Sequence, residues 1–182
     1  MPTNVTHAIP AIAIGLGLSR YYIGGKAIVI GAVIASLPDL DMLGTRFFGI
    51  PWDSIYGHRG YTHSITFAVL VALTVAFLLY RYDFKKYFLF FLVCTVSHPL
   101  LDSLNNGGLG VAFFWPLSDA RYHAFVQPVM NVNVSFRGLY LTMKGLPVFL
   151  SEFIWVWLPF FCIYLFLRFN GLELIRNKFQ RF

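Results

Sequence analysis

Histidine and aspartate recur in this chain at spacings that suit one kind of chemistry, the binding of divalent metal ions. His98 and Asp102, in SHPLLD, stand four residues apart, so on a helix they share a face and can bind one ion. Asp39 and Asp41, in SLPDLDML, are separated by one residue. On an extended or turning segment both would face the same way, and Pro38 predicts a helix break just before them. His58 and His63, in GHRGYTHS, are five apart, the first in a Gly-flanked loop and the second at the start of an apolar run. Thr62 and Ser64 beside His63 suit helix caps or hydrogen-bond partners of a ligand. His7 lies near the N-terminus, and His123 follows Arg121 in WPLSDARYHAF. Mixed imidazole and carboxylate donors suit zinc, manganese or iron, with Zn2+ the default for hydrolysis. There are more candidate ligands than one ion needs, so the expectation is one to three ions. A two-metal centre would hold both oxygens of a displacement. Plainer readings stand beside these: Asp39 and Asp41 as helix caps, and His58 as an ordinary loop histidine. Arg59 and Arg121 suit either a clamp on an anionic group such as phosphate or interfacial anchors.

These residues must be delivered to one place by the elements that carry them. Five helical segments are expected: Val5 to Ser19, Gly25 to Leu37, Thr62 to Tyr80, Tyr87 to Leu101, and Leu146 to Phe169. The first two are short for a crossing, which takes about 20 residues. If all five cross, Arg20, Lys26, Arg81, Lys85, Lys86, Arg168, Arg176, Lys178 and Arg181 fall on one side, which the positive-inside rule makes cytoplasmic. The other side also holds basic residues, Arg46, Arg59, Arg121, Arg137 and Lys144. It receives every histidine and six of the eight acids, counting Asp53, Asp119 and Glu152. Helix ends remote in sequence thus bring candidate ligands to one layer. The expected architecture is an all-α polytopic membrane helix bundle of about five membrane segments, one domain over residues 1–182. A metal site would lie at the bundle mouth, near the extracytoplasmic face of the cell membrane.

Composition supports the membrane part of that expectation. The chain is 58% hydrophobic and 12% charged, with a mean hydropathy of +0.67. A soluble domain carries about 25% charged residues, and this apolar excess suits a surface facing lipid. The net charge of +6 reads as membrane topology and contact with anionic lipid rather than nucleic acid. Cys94 and Cys162 each sit alone in an apolar run and read as free thiols. The N-terminus lacks the basic start and small-residue cleavage site of a removed signal peptide.

The ordered set THA, SLPDLD, HRGYTHS, SHPLLD and WPLS resembles the membrane-bound metal-dependent hydrolases of bacteria and archaea, the YdjM-like or DUF457 family. Thr6-His7, Pro38-Asp39-x-Asp41, His58-Arg59-Gly60-x-Thr62-His63-Ser64, Ser97-His98-x-x-x-Asp102 and Trp115-Pro116 match its elements in order, over roughly residues 1–125. The His98-x-x-x-Asp102 element is also similar to part of the all-helical zinc phospholipase C pattern, although no HxxxE follows. The resemblance implies a metal-dependent hydrolase, and with the residues it leads to a definite expectation. A phosphoester or related bond in a lipid or other membrane-associated small molecule would be cleaved. His7, Asp39, Asp41, His58, His63, His98 and Asp102 would supply metal ligands, with Asp41 a bridging ligand or general base. Arg59 and Arg121 would neutralise the leaving phosphate, and His123 would ligate or protonate the leaving group. A divalent-cation transporter would use the same ligands but needs a polar path, and Ile65 to Tyr80 offers only Thr66, Thr74 and Tyr80. A structural membrane protein with a stabilising metal would need a coordinatively closed site.

Overall fold

Apolar runs without charge leave the backbone no partner but itself in a lipid environment, and helices are the outcome. The computed structural model describes residues 3–19, 22–131 and 143–179. Among the described residues seven α-helices follow one another: α1 (Asn4–Leu18), α2 (Gly25–Ala35), α3 (Asp41–Phe48), α4 (Ile65–Tyr80), α5 (Phe84–Ser103), α6 (Leu146–Glu152) and α7 (Leu158–Phe179). The only β pairing among the described residues is two isolated bridges, Asn105 to Val129 and Val111 to Tyr122. The all-α class therefore holds.

The expectation of about five membrane segments does not. Among the described residues two stretches are long and apolar enough to cross a membrane, Ile65–Ser103 and Leu146–Asn170. A third arises only if α2 and the stretch Leu37–Phe48, bent by 44° at their junction, count as one span. The reason is length: at 1.5 Å per residue, the 15 residues of α1 and 11 of α2 fall well short of a hydrocarbon core of about 30 Å. Pro38 ends the second segment early. α2 stops at Ala35, and a 3-10 turn, Leu37–Leu40, carries the chain into α3. Ile65–Ser103 is a hairpin rather than a rod. It reverses at Arg81–Asp83, where the Tyr80 and Tyr87 rings stack 3.9 Å apart. At the open end His63 Nε2 lies 3.1 Å from His98 Nε2. The five-crossing orientation falls with the segment count. Of the basic residues it used, Arg20, Arg137 and Arg181 lie outside the described residues, as do the side chains of Lys144, Arg176 and Lys178.

Packing follows membrane logic, with small residues inside and large ones out. On α4 the buried positions Ala68, Ala72 and Ala76 form an i, i+4 stripe, while Leu70, Phe77, Leu78 and Leu79 are exposed. Ala72 and Ala76 of the stripe belong to a core with Phe90, Phe91 and Cys94 of α5 and with Ala27, Ile28 and Ile34 of α2. α1 lies between α2 and α7. It comes so close to α2 that a Cβ on Gly15 would stand 2.7 Å from Ile28 Cγ1.

Two further devices complete the frame. Glu152, 1% exposed at the end of α6, accepts hydrogen bonds from the Thr3 amide (2.6 Å), the Thr3 hydroxyl (2.7 Å) and the Thr6 hydroxyl (2.6 Å). Trp157, in the π-helical turn Phe153–Trp157, donates its Nε1–H to Thr6 Oγ1 at 2.9 Å. The start of α1 is thereby tied to the start of the last helix. The loop after α5 folds back over the open end of the hairpin: Val111, Ala112 and Val129 are fully buried. The Ile65 amide donates to the Phe113 carbonyl at 3.0 Å, and the Ala112 amide to the Arg59 carbonyl at 3.1 Å.

Candidate metal centre

Five elements meet beneath that loop, and each brings imidazole or carboxylate. α1 supplies His7, and the Leu37–Leu40 turn and the start of α3 supply Asp39 and Asp41. The turn Tyr61–His63 supplies His63 with His58 just ahead of it, and α5 supplies His98 and Asp102. His7, His63, His98 and Asp102 are fully buried, and Asp39, Asp41 and His58 are at most 8% exposed. Seven of the expected site residues are therefore brought together. His123 is exposed and stands apart from them.

Two groups of donors could hold an ion. In the first, Asp39, His63, His98 and Asp102 offer one ligand atom each, all within 4.8 Å of one another. Its separations are His63 Nε2 to His98 Nε2 3.1 Å, His63 Nε2 to Asp102 Oδ2 3.2 Å and His98 Nε2 to Asp39 Oδ1 3.4 Å. His63 Nε2 to Asp39 Oδ1 and His98 Nε2 to Asp102 Oδ2 are both 3.7 Å. A tetrahedron with arms of 2.0–2.1 Å has edges of about 3.3–3.4 Å, close to these five separations, so the group suits a divalent metal ion. The second group is Asp41, His58 and His63.

Hydrogen bonds set which ring nitrogens are free. His98 Nδ1 lies 2.7 Å from the Ala35 carbonyl. A carbonyl only accepts, so Nδ1 carries the proton and Nε2 keeps its lone pair. His63 Nδ1 lies 3.2 Å from Asp41 Oδ2 and 3.0 Å from Thr62 Oγ1, which again leaves Nε2 facing the first group. His7 stacks on His98 with ring centroids 3.7 Å apart, and its Nε2 is 3.6 Å from Asp102 Oδ1. Both His7 nitrogens, both Asp39 oxygens and Asp102 Oδ2 are buried without a hydrogen-bond partner. Orphaned buried donors and acceptors are costly, and a cation among them removes that cost. The donor set therefore fits a divalent metal.

Electrostatics point the same way. Burial alone would lower the His63 pKa, but the carboxylates of Asp102, Asp39 and Asp41 beside it hold it well above the usual histidine range. Without a cation, a proton takes the place between the carboxylates.

The remaining expected residues serve differently. Asp39 and Asp41 were expected to face the same way, yet they diverge. In a 3-10 turn of three residues per revolution, positions i and i+2 do not share a face. Asp39 points to His63 and His98, while Asp41 accepts from His58 Nδ1 (3.0 Å), the Arg59 amide (3.2 Å) and the Thr62 hydroxyl (2.8 Å). Arg59, buried and at φ 61°, places Nε 3.4 Å from Asp102 Oδ2 and donates from Nη1 to the Gly107 and Leu109 carbonyls at 3.1 and 2.7 Å. Arg121 donates to four carbonyls, those of His58, Gly110, Asp53 and Ser54, at 2.8–3.3 Å. Both guanidiniums are thus engaged in holding the loops. Gly60 has a local reason: a Cβ there would collide with the Ile55 carbonyl oxygen. Sequence reasoning passed over the Ala35 carbonyl, since a backbone acceptor carries no residue signature. It noted Glu152 without its partners Thr3 and Thr6, because their meeting spans almost the whole chain.

Comparisons with known proteins bear on the membrane setting of this site. The family model described as YdjM inner membrane protein matches residues 1–174, so the similarity runs well past the motif-bearing first two thirds. The chain is similar to the inner membrane protein YbcI of Escherichia coli (strain K12), 41% identical over 162 residues that cover 87% of this chain and 92% of the relative. No solved structure matches. With its ordered motifs meeting in one buried His/Asp cluster among apolar helices, the chain belongs to the YdjM family of inner membrane proteins.

Proposed function

We propose that this protein is a membrane-bound metal-dependent hydrolase whose substrate is a phosphoester in a lipid or another membrane-associated small molecule. The observation that carries the reading is the set of orphaned buried donors on His7, Asp39 and Asp102, beside His63 and His98 whose Nε2 atoms converge at 3.1 Å. Zn2+ is the first choice of ion, with Mn2+ and Fe2+ as alternatives. When bound, the ion supplies Lewis acidity that polarises a phosphoryl oxygen and makes water a nucleophile near neutral pH. The chain's own residues do the rest. Ala35 and Asp41 fix the tautomers of His98 and His63. Arg59 holds Asp102 in place, and the loop after α5 shields the cluster from bulk water. His7, with two unpartnered ring nitrogens, is the group placed to take or return a proton at Nε2.

The charge at the hairpin turn supports an extracytoplasmic site. Arg81, Lys85 and Lys86 lie at its turn, the end opposite the cluster, and the positive-inside rule places such a turn in the cytoplasm. The cluster then lies near the extracytoplasmic face, where a lipid head group can reach it while the tails stay in the bilayer.

The test is release of a phosphomonoester and an alcohol from phospholipid vesicles, and of inorganic phosphate from a soluble phosphomonoester, using purified protein loaded with Zn2+, Mn2+ or Fe2+. Release by wild type that is lost in His63→Ala supports the reading. No turnover of any phosphoester by metal-loaded protein sinks the hydrolase.

A stabilising metal is the second reading, and burial favours it: the first donor group is at most 7% exposed and supplies four ligands by itself. Retained metal without turnover is its signature. A cation path has less support, since Phe91, Cys94, Ala72 and Ala76 fill the core of the hairpin that carries the cluster.

A further inference from the structure

We infer that the cluster takes one divalent ion per chain, held by Asp39, His63, His98 and Asp102, and that Asp41 and His58 form a hydrogen-bonded bracket outside the coordination sphere. The inference rests on the metal in the proposed function and not on its hydrolytic chemistry. Four observations lead to it.

The first is lone-pair accounting on Asp41. Its carboxylate has about four acceptor sites, and four groups stand against them. These are His58 Nδ1 at 3.0 Å, the Arg59 amide at 3.2 Å, the Thr62 hydroxyl at 2.8 Å and His63 Nδ1 at 3.2 Å. Three of them, the Arg59 amide, the Thr62 hydroxyl and His63 Nδ1, share Oδ2, so a cation on that oxygen would have to displace at least one of them, while Oδ1 already accepts from His58 Nδ1.

The second concerns His63, which both donor groups share. Its Nε2 faces His98, Asp39 and Asp102, and its Nδ1 faces Asp41. Occupying both groups would require a ring without any N–H, bridging two ions. An N–H held by Asp41 and one free lone pair is the ordinary arrangement of a metal-ligating histidine.

The third is where satisfaction fails. The orphaned buried atoms of His7, Asp39 and Asp102 all belong to the first group or touch it, whereas no Asp41 or His58 atom is among them. The unmet need for a cation is therefore concentrated in the first group.

The fourth is charge. Asp39, Asp41 and Asp102 set three negative charges against the one positive charge of Arg59, all nine-tenths buried or more. With neutral imidazoles the cluster carries two negative charges, which one divalent ion cancels. A second would leave two positive charges in a low-dielectric interior, a costly state.

The test is metal content per chain by elemental analysis of detergent-purified full-length protein loaded with Zn2+ and freed of excess. X-ray absorption of the same sample checks the count. The expected result is one ion in wild type, retained at stoichiometric loading in His58→Ala and Asp41→Asn and lost in His63→Ala and His98→Ala. His63→Cys and His98→Cys, which restore a donor, should recover an ion if the losses reflect ligation rather than unfolding. Two ions in wild type, one of them lost in His58→Ala, would overturn the single-ion assignment. So would metal–metal scattering at about 3.5–4 Å, the separation of two-metal sites. No ion in gently prepared or reloaded wild type sinks the metal reading beneath it. One ion without turnover leaves the assignment standing and sinks only the hydrolase.

Discussion

At the scale of single residues, the site is governed by which atom of each ring or carboxylate is already spoken for. Thr62 touches both Asp41 and His63 Nδ1, so Thr62→Val frees the ring that Asp41 orients. Metal affinity should fall about 10-fold, the lower range for loss of an outer hydrogen-bond partner, as measured by competition with a chromophoric chelator. The pH dependence has a defined sign. The His63 pKa is raised in the folded metal-free protein. Its proton therefore stabilises that state below the ordinary histidine range, and the contribution is lost as pH rises through the folded value. An ion must displace the same proton. Apparent metal affinity should rise with pH from the ordinary histidine range, about 6.5, until the folded pKa is passed, with close to one proton released per ion near neutral pH. Calorimetry in buffers of different ionisation enthalpy measures that release, and a pH-independent affinity would contradict it. The His98 and Asp102 pairing was legible in the sequence because the helical period alone decides it. The split of Asp39 from Asp41 was not, because it depends on a 3-10 turn that local spacing does not announce.

At the scale of elements, the α4–α5 hairpin sets the distance between His63 and His98, and its close approach depends on alanine. Ala72 is fully buried in the core with Phe91 and Cys94, so Ala72→Leu should destabilise the fold by about 1–3 kcal/mol through overpacking. Thermal unfolding in detergent measures this, and a matched Leu73→Ala change on the outer face serves as the control. Glu152 joins α6 to the start of α1 across 149 positions of sequence. Glu152→Ala strands the Thr3 amide and two hydroxyls in a buried place and should cost about 1–3 kcal/mol or more. Since α1 also carries His7, proteolysis near the N-terminus should become faster in this variant. The sequence disclosed these helices by their apolar runs. It did not disclose the reversal at Arg81–Asp83 as the reason His63 meets His98, nor that Pro38 diverts the second segment into a turn and a further helix.

For the whole molecule, an ion bound to the folded state alone should stabilise it by mass action. Removing the metal with a chelator should lower the unfolding midpoint, by about 4 kcal/mol equivalent if the ion was held at 1,000 times its dissociation constant. Orientation is testable with a membrane-impermeant thiol reagent on inner-membrane preparations of known sidedness, in a Cys162→Ser background. Leu117→Cys, on the site side, should be labelled from outside, and Tyr82→Cys, at the turn, from inside; both positions are over 90% exposed. The reverse pattern would place the cluster in the cytoplasm. Membrane character, the all-α class and the pool of metal ligands were determined by the sequence itself. An apolar excess has no other use, and each motif is written in consecutive residues. The tertiary structure decided how many stretches are long enough to cross, which donors converge, and which residues hold others in place. It also left His123 out of both donor groups, set Arg59 between Asp102 and two loop carbonyls, and turned Arg121 toward carbonyls. Those outcomes depend on contacts between residues tens of positions apart, and neither composition nor helical period constrains such distances.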